Sequence, residues 1–152
     1  MRHPADRLAA LPDAAFASFA ERLGGVWPEY EASASPVTPE GTVELSLVRE
    51  RSVVHDRADP DRAVVRLCRA DIDVDAVNDF AVFAAERGLT FAVLATVGEV
   101  DPDATRRARS APVDVYDGVG IVSLARDAGI AIPGGGGIDA DADTDPERES
   151  GT

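Results

Sequence analysis

Gly41-Thr42-Val43-Glu44-Leu45-Ser46-Leu47 alternates: Val43, Leu45 and Leu47 fall on one side, and Thr42, Glu44 and Ser46 on the other. Successive strand side chains point to opposite faces, so this is a half-buried strand with Glu44 on its less apolar face. Downstream, Ala63 to Arg69 holds Val64-Val65-Arg66-Leu67-Cys68-Arg69, and the turn residues Asp59-Pro60-Asp61 between the two runs predict a hairpin. Upstream, Thr38-Pro39-Glu40-Gly41 is a turn, and Val26 to Val37, broken around Trp27, Pro28 and Tyr30, is an irregular strand.

Helices flank this hairpin. Leu8, Leu11, Ala15, Phe19 and Leu23 recur at three and four residues and predict one amphipathic helix closed by Gly24-Gly25. Asp71 or Asp73 caps a helix over Val74 to Arg87, whose Val74, Val77, Ala81 and Ala84 line one side before Gly88. Phe91 to Thr96 is a short continuous apolar run of the kind that becomes a buried central strand. Asp101-Pro102 opens a helix through Ser110, Val113 to Tyr116 is a short strand, and Val119 to Ala128 is a last helix ended by Gly129. Early hairpins followed by strand and helix alternation imply an α/β fold, a mixed sheet with helices on both faces. The domain is expected over 1–132, and a Gly/Asp-rich disordered tail over 133–152.

The composition is acidic and free of lysine. Lys and Arg together number 15, all of them arginine, against 28 Asp and Glu, for a formal charge of -13, with 45% hydrophobic residues. That balance describes a folded acidic body and resembles proteins of salt-in halophiles, although GC-rich coding also favours Arg over Lys. One cysteine and two histidines, His3 and His55, exclude a disulfide framework and a Cys/His zinc centre. No apolar run reaches the roughly 20 residues of a membrane span and no signal-peptide hydrophobic region is present, so an intracellular, cytoplasmic protein is expected.

Several words of the sequence resemble the Mrr-like branch of the restriction endonuclease-like superfamily, over about residues 8 to 130. They are the first helix ending in Leu23-Gly24, Gly41-Thr42-Val43-Glu44 where the family carries a Gly-x-x-Asp strand, and Val64-Val65-Arg66-Leu67-Cys68 where it carries an apolar pair, then Gln or Glu, any residue, and Lys. Val74 to Gly88, Ala95-Thr96-Val97-Gly98, Ala104 to Ala108 and Val113-Asp114-Val115-Tyr116-Asp117-Gly118 follow the family's later elements. The resemblance implies a restriction endonuclease-like fold, DNA as partner and metal-dependent phosphodiester hydrolysis. In that chemistry two acidic or amide groups hold a divalent cation such as Mg2+ beside the scissile phosphate, where it lowers the pKa of bound water, and a lysine two positions on assists.

Carried over, the metal-binding Asp falls on Glu44, the Gln/Glu position on Arg66 and the Lys position on Cys68. Guanidinium offers no lone pair, and a thiolate is a poor magnesium ligand, so only Glu44 retains metal-binding chemistry. Nor is an acidic residue found directly after Phe16, where many relatives carry Glu. The motif thus reads as degenerate, in a haloarchaeal-like member of the family. A rearranged metal site would need Glu44 beside Asp71 or Asp73. The simpler expectations are a Glu44–Arg66 ion pair and a core-filling Cys68.

Arg69, Arg106 and Arg107, with Arg109 on the same short helix, are the phosphate-binding candidates, against the plainer reading of a solvated face. Asp139, Asp141 and Asp143 imitate a calcium loop, but Thr144 and Ser150 replace its required Gly and Glu. Gly134 to Gly137 lacks the Lys and helix of a phosphate loop. The alternative function is a non-catalytic protein-interaction or regulatory domain on the same scaffold, for which Trp27, Tyr30 and Phe83 would form one exposed patch. A homodimer or another protein partner stays open.

Overall fold

Two cores, one on each side of a twisted sheet, organise the chain. The computed structural model describes residues 4–49 and 61–132. Among these, five strands form one mixed sheet in the order β1-β2-β3-β4-β5: β1 (Glu31–Ala34), β2 (Thr42–Arg49), β3 (Asp61–Cys68), β4 (Phe91–Thr96) and β5 (Asp114–Tyr116). The first three are antiparallel, and β4 and β5 continue parallel to β3. Helices α1 (Pro4–Ala9), α2 (Asp13–Leu23) and α5 (Gly118–Asp127) cover one face; α3 (Val74–Arg87) and α4 (Pro102–Ala108) cover part of the other. This is the mixed sheet with helices on both faces that the sequence implied.

The alternation in β2 holds. Val43, Leu45 and Leu47 are buried with Ala63, Val65 and Leu67 of β3 in the first core, beside Phe16 and Phe19 of α2. Each large side chain removed from water contributes about 1.5–3 kcal/mol before conformational entropy is counted. The even residues of β3 face the second core, where Val64 meets Phe80 and Val77 of α3 and Ala104 of α4.

Several expected boundaries are corrected. The single helix through Leu8 and Leu23 is two, α1 and α2, because Pro12 has no N–H and its ring disfavours helical geometry at Leu11. Tight turns close α1, Ala10 N donating to Arg7 O and Leu11 N to Leu8 O. The irregular strand is reduced to β1, preceded by a 3-10 turn over Gly24–Val26. On α3 the buried stripe is Val77, Phe80 and Ala84; Val74 and Ala81 are only half-buried. Asp73, not Asp71, caps that helix, its Oδ1 accepting from Ala76 N at 2.9 Å. Arg69 lies beyond β3, its N–H reaching Gly41 O at 3.1 Å. The tail over 133–152, with its glycine run and Asp139, Asp141 and Asp143, lies outside the described residues, as do His3, His55 and the Asp59-Pro60 portion of the hairpin turn.

Where β4 ends, the chain must pass α5 and α1 closely. Thr96, fully buried, donates through Oγ1 to Ala70 O at 2.6 Å and accepts from Gly98 N at 2.9 Å, fastening the loop after β3 to the end of β4. Gly118 N donates to Gly98 O at 2.9 Å as α5 begins, and a Cβ at Gly118 would stand 2.5 Å from Val97 O and 2.7 Å from Ala5 Cβ. Backbone cannot yield there as a side chain can. Gly118→Ala is therefore expected to lower unfolding free energy in urea by about 1–3 kcal/mol, the usual cost of overpacking. Val82→Ala, at a position 57% exposed on α3, should change it by less than about 0.5 kcal/mol.

Candidate functional site

Glu44 and Arg66 are paired across β2 and β3 in direct register, with Thr42 opposite Cys68 one step along the same face. Cross-strand partners in an antiparallel pair bring their Cβ atoms to about 4.5–5.5 Å. A carboxylate facing a guanidinium there meets it without rearrangement. Arg66 Nε and Nη2 both donate to Glu44 Oε2, at 2.9 and 2.5 Å. The side chains are 25% exposed for Arg66 and 36% for Glu44. The pair is half-sheltered, in a wall of the sheet rather than in open solvent.

Aromatic rings hold the guanidinium from the α3 side. Its central carbon lies 4.8 Å from the Phe80 ring centroid and 4.9 Å from that of Phe83, and these two rings stack 5.8 Å apart. Arg87, one turn beyond Phe83, lies 4.7 Å from the same Phe83 ring. A planar guanidinium suits both the ring faces and the carboxylate. The ion pair and the ring contacts together contribute on the order of 2 kcal/mol at this exposure. The sequence reading missed Phe80 and Phe83 as partners of Arg66, and Arg87 as a second cation on Phe83. Their spacing of three and four residues was the available signal, placing all three on one side of α3.

Cys68 is half-buried against the second core. Burial pushes its thiol up from the ordinary 9.0, only partly offset by a hydrogen bond with Thr42 and by the charge of Arg66. A raised thiol pKa keeps the sulfur protonated and weakly nucleophilic.

The other candidates are drawn to different places. Arg69 Nη1 donates to Ala9 O and Nη2 to Asp13 Oδ1, each at 3.0 Å, and its guanidinium lies 4.4 Å over the Phe16 ring. It thereby ties the break between α1 and α2. It also crowds Gly41, whose φ of +84° suits only glycine and whose added Cβ would meet Arg69 Cδ at 2.8 Å. Arg106 pairs with Asp103 within α4, and Arg107 Nε donates to Asn78 Oδ1 at 2.7 Å on α3. Arg109 caps the end of α4. Glu44, Arg66 and Cys68 share one face of the β2–β3 pair; Arg69, Arg106 and Arg107 do not join them.

Asp71 lies in a separate cleft. Its Oδ1 accepts from Glu99 N at 2.9 Å, and it lines a cavity of about 680 Å³ with Asp6, Glu99 and Asp117 near the carboxyl ends of the parallel strands. Asp73 is engaged as the α3 cap. Neither carboxylate accompanies Glu44, and among the described residues no cluster of three His, Cys, Asp or Glu side chains could hold a metal. Trp27 and Tyr30 pack on Phe91 in the first core, on the opposite side of the sheet from Phe83, so the expected single aromatic patch does not form. No helix among the described residues is long and apolar enough to cross a membrane.

Residues 19–125 match the Mrr_cat family model, described as restriction endonuclease. The chain belongs to this restriction endonuclease family. The match spans both the Glu44–Arg66 pair and the helices that frame it. No curated protein matches the chain. Among solved structures it is similar to EndoMS in apo form, with a TM-score of 0.49 and 14% identity over 70% of this chain and 46% of that one. It is similar also to the DNA modification-dependent restriction endonuclease AspBHI, with a TM-score of 0.43 and 18% identity over 86% and 39% of the two chains. MspJI restriction endonuclease in complex with a 27-mer oligonucleotide gives a TM-score of 0.43 and 14% identity over 74% and 27%. The chain thus spans less than half the length of each.

The family generally uses a divalent metal, and the residues at the positions that the sequence resemblance assigns to it do not fit one. Glu44 Oε2 already accepts two guanidinium N–H groups, Arg66 has no lone pair to give, and the Cys68 thiol is held protonated. The raised Cys68 pKa also has a sign for stability. The native state holds the proton more tightly than the unfolded chain, so this contribution is complete below the unfolded thiol pKa and is lost as pH climbs through the folded one. Stability measured from pH 7 to 10 should fall at the alkaline end, and Cys68→Ala should flatten that fall. Reaction of native Cys68 with a disulfide reagent at pH 8 should be at least about tenfold slower than in denaturant.

Proposed function

We propose that the chain is a restriction endonuclease-like domain that engages DNA without cutting it. The observation that carries this reading is the Glu44–Arg66 pair, which puts a fixed cation against the one carboxylate the metal would need. In this family phosphodiester hydrolysis generally uses a metal, which polarises phosphate and lowers the pKa of bound water, and a guanidinium can do only the first through its charge. Membership of the family supports DNA as the partner. We assign the domain to residues 1–132, ahead of a Gly/Asp-rich segment over 133–152, and the acidic, lysine-free composition suits a cytosol rich in salt. The protein-interaction alternative loses its main support, because Trp27, Tyr30 and Phe83 are packed into two different cores.

Supercoiled and methylated DNA, incubated with the protein and magnesium or manganese from low to molar potassium chloride, should remain uncut while electrophoretic shift or fluorescence anisotropy reports binding. Cleavage that is abolished by Glu44→Ala would overturn the proposal. The double variant Arg66→Gln with Cys68→Lys rebuilds the family's pattern beside Glu44. It is expected to bind manganese more tightly than the parent by at least tenfold in calorimetry.

A further inference from the structure

Arg62, Arg66 and Arg87 surround one part of the second sheet face. Arg62 and Arg66 project from the same side of β3, and Arg87 from the end of α3. Arg62 and Arg87 together line a cavity of about 200 Å³ with Ser46, Val48, Val64 and Leu89. Arg66 and Arg87 share the Phe83 ring, at 4.9 and 4.7 Å from its centroid. Arg66 and Glu44 are not in the lining of this cavity but adjoin it, each two positions along its strand from a lining residue on the same sheet face, Val64 and Ser46.

The hydrogen-bonding state of these arginines is unusual for so acidic a chain. Arg49, Arg69 and Arg106 each pair with an aspartate: Asp61, Asp13 and Asp103. Neither Arg62 nor Arg87 has a carboxylate partner among the described residues, and Arg66 gives only Nε and Nη2 to Glu44, leaving Nη1 donors over. Among the described residues Glu44 is thus the one carboxylate hydrogen-bonded to any of the three. The Phe83 ring holds Arg66 and Arg87 in place without consuming donors, and Ser46, exposed on β2, adds a hydroxyl at the cavity. Planar guanidinium forks on a strand and a helix match the oxygens of a phosphate group, and several of them together can meet more of those oxygens than one could.

We infer that Arg62, Arg66 and Arg87 form a metal-independent phosphate-binding site whose ligand is a phosphodiester of the DNA backbone, with Arg66 supplying beside Glu44 the positive charge a cation would otherwise bring. The site rests on the proposed DNA engagement and gives it a location. Ordinary free phosphate offers the same oxygens, so the test separates the two sources.

Binding of a fluorescent 20-base-pair duplex to the full chain is measured by anisotropy across a salt series, and binding of inorganic phosphate by calorimetry. Both are repeated for Arg62→Gln with Arg87→Gln, and for Arg22→Gln, which stands on α2 away from the cavity. Arg66 is left intact in both variants because it also secures the sheet to α3. The double variant is expected to bind duplex at least tenfold more weakly, with the slope of log affinity against log salt reduced by about two, while Arg22→Gln matches the parent. Circular dichroism melts confirm that each variant is folded. Duplex binding unchanged in the double variant overturns this site and leaves the DNA reading standing. Phosphate binding lost in the double variant, with no duplex binding by the parent, overturns the backbone assignment and the DNA reading together. Absence of both kinds of binding in the parent overturns the site altogether.

Discussion

Strand β3 has to satisfy two cores at once, and the period of two in its backbone leaves it no freedom in how. Ala63, Val65 and Leu67 fill the first core with β2 and α2, so Arg62, Val64, Arg66 and Cys68 must face the other way. A shift of one residue would drive a guanidinium into the dry space beside Phe16 and Phe19. The register that protects the first core therefore dictates that Arg66 emerges opposite Glu44 and beneath α3. The ion pair follows from the hydrophobic packing on the far side of the sheet.

Arginine rather than lysine makes the consequences of that placement tolerable. An ammonium group beneath Phe80 and Phe83 would lose hydration and find one acceptor. The guanidinium lies flat against two rings and still sends two N–H groups to Glu44. The same chemistry recurs at Arg69, which covers Phe16 while closing the carbonyl at the end of α1 and meeting Asp13 at the start of α2. A lysine-free composition is thus more than a matter of surface charge, because its arginines are structural fasteners between layers.

The two halves of the second sheet face differ for a simple reason. Helices α3 and α4 cover the parallel strands, where crossover connections must lie, but the antiparallel β1 and β2 are joined by turns and bring no helix with them. Glu31, Ser33 and Ser46 consequently stay exposed on that side, and the Glu44–Arg66 pair sits at the boundary between covered and open sheet. At this boundary the carboxylate and the guanidinium neutralise each other.

Much of this was legible along the chain. The alternation at Val43, Leu45 and Leu47, the apolar run of β4 and the glycine stops of the helices depend on local periodicity, and each appears within a residue or two of its expected place. The Glu44–Arg66 partnership was anticipated from the motif positions; alternation gives the face of each residue, and the strand pairing sets them directly opposite. Pro12 was visible yet underweighted, and it divides the first helix because its missing N–H acts locally whatever the apolar stripe does. The sequence by itself thus determined the elements and the faces of β2 and β3, and with them the side of the sheet on which Glu44, Arg66 and Cys68 stand. Tertiary structure alone decided that Phe80 and Phe83 meet Arg66, that Arg69 is consumed in joining two helices, and that Asp71 opens into another cleft. Those outcomes depend on how α3, α1 and the strand-end loops pack across distances that no spacing in the chain encodes.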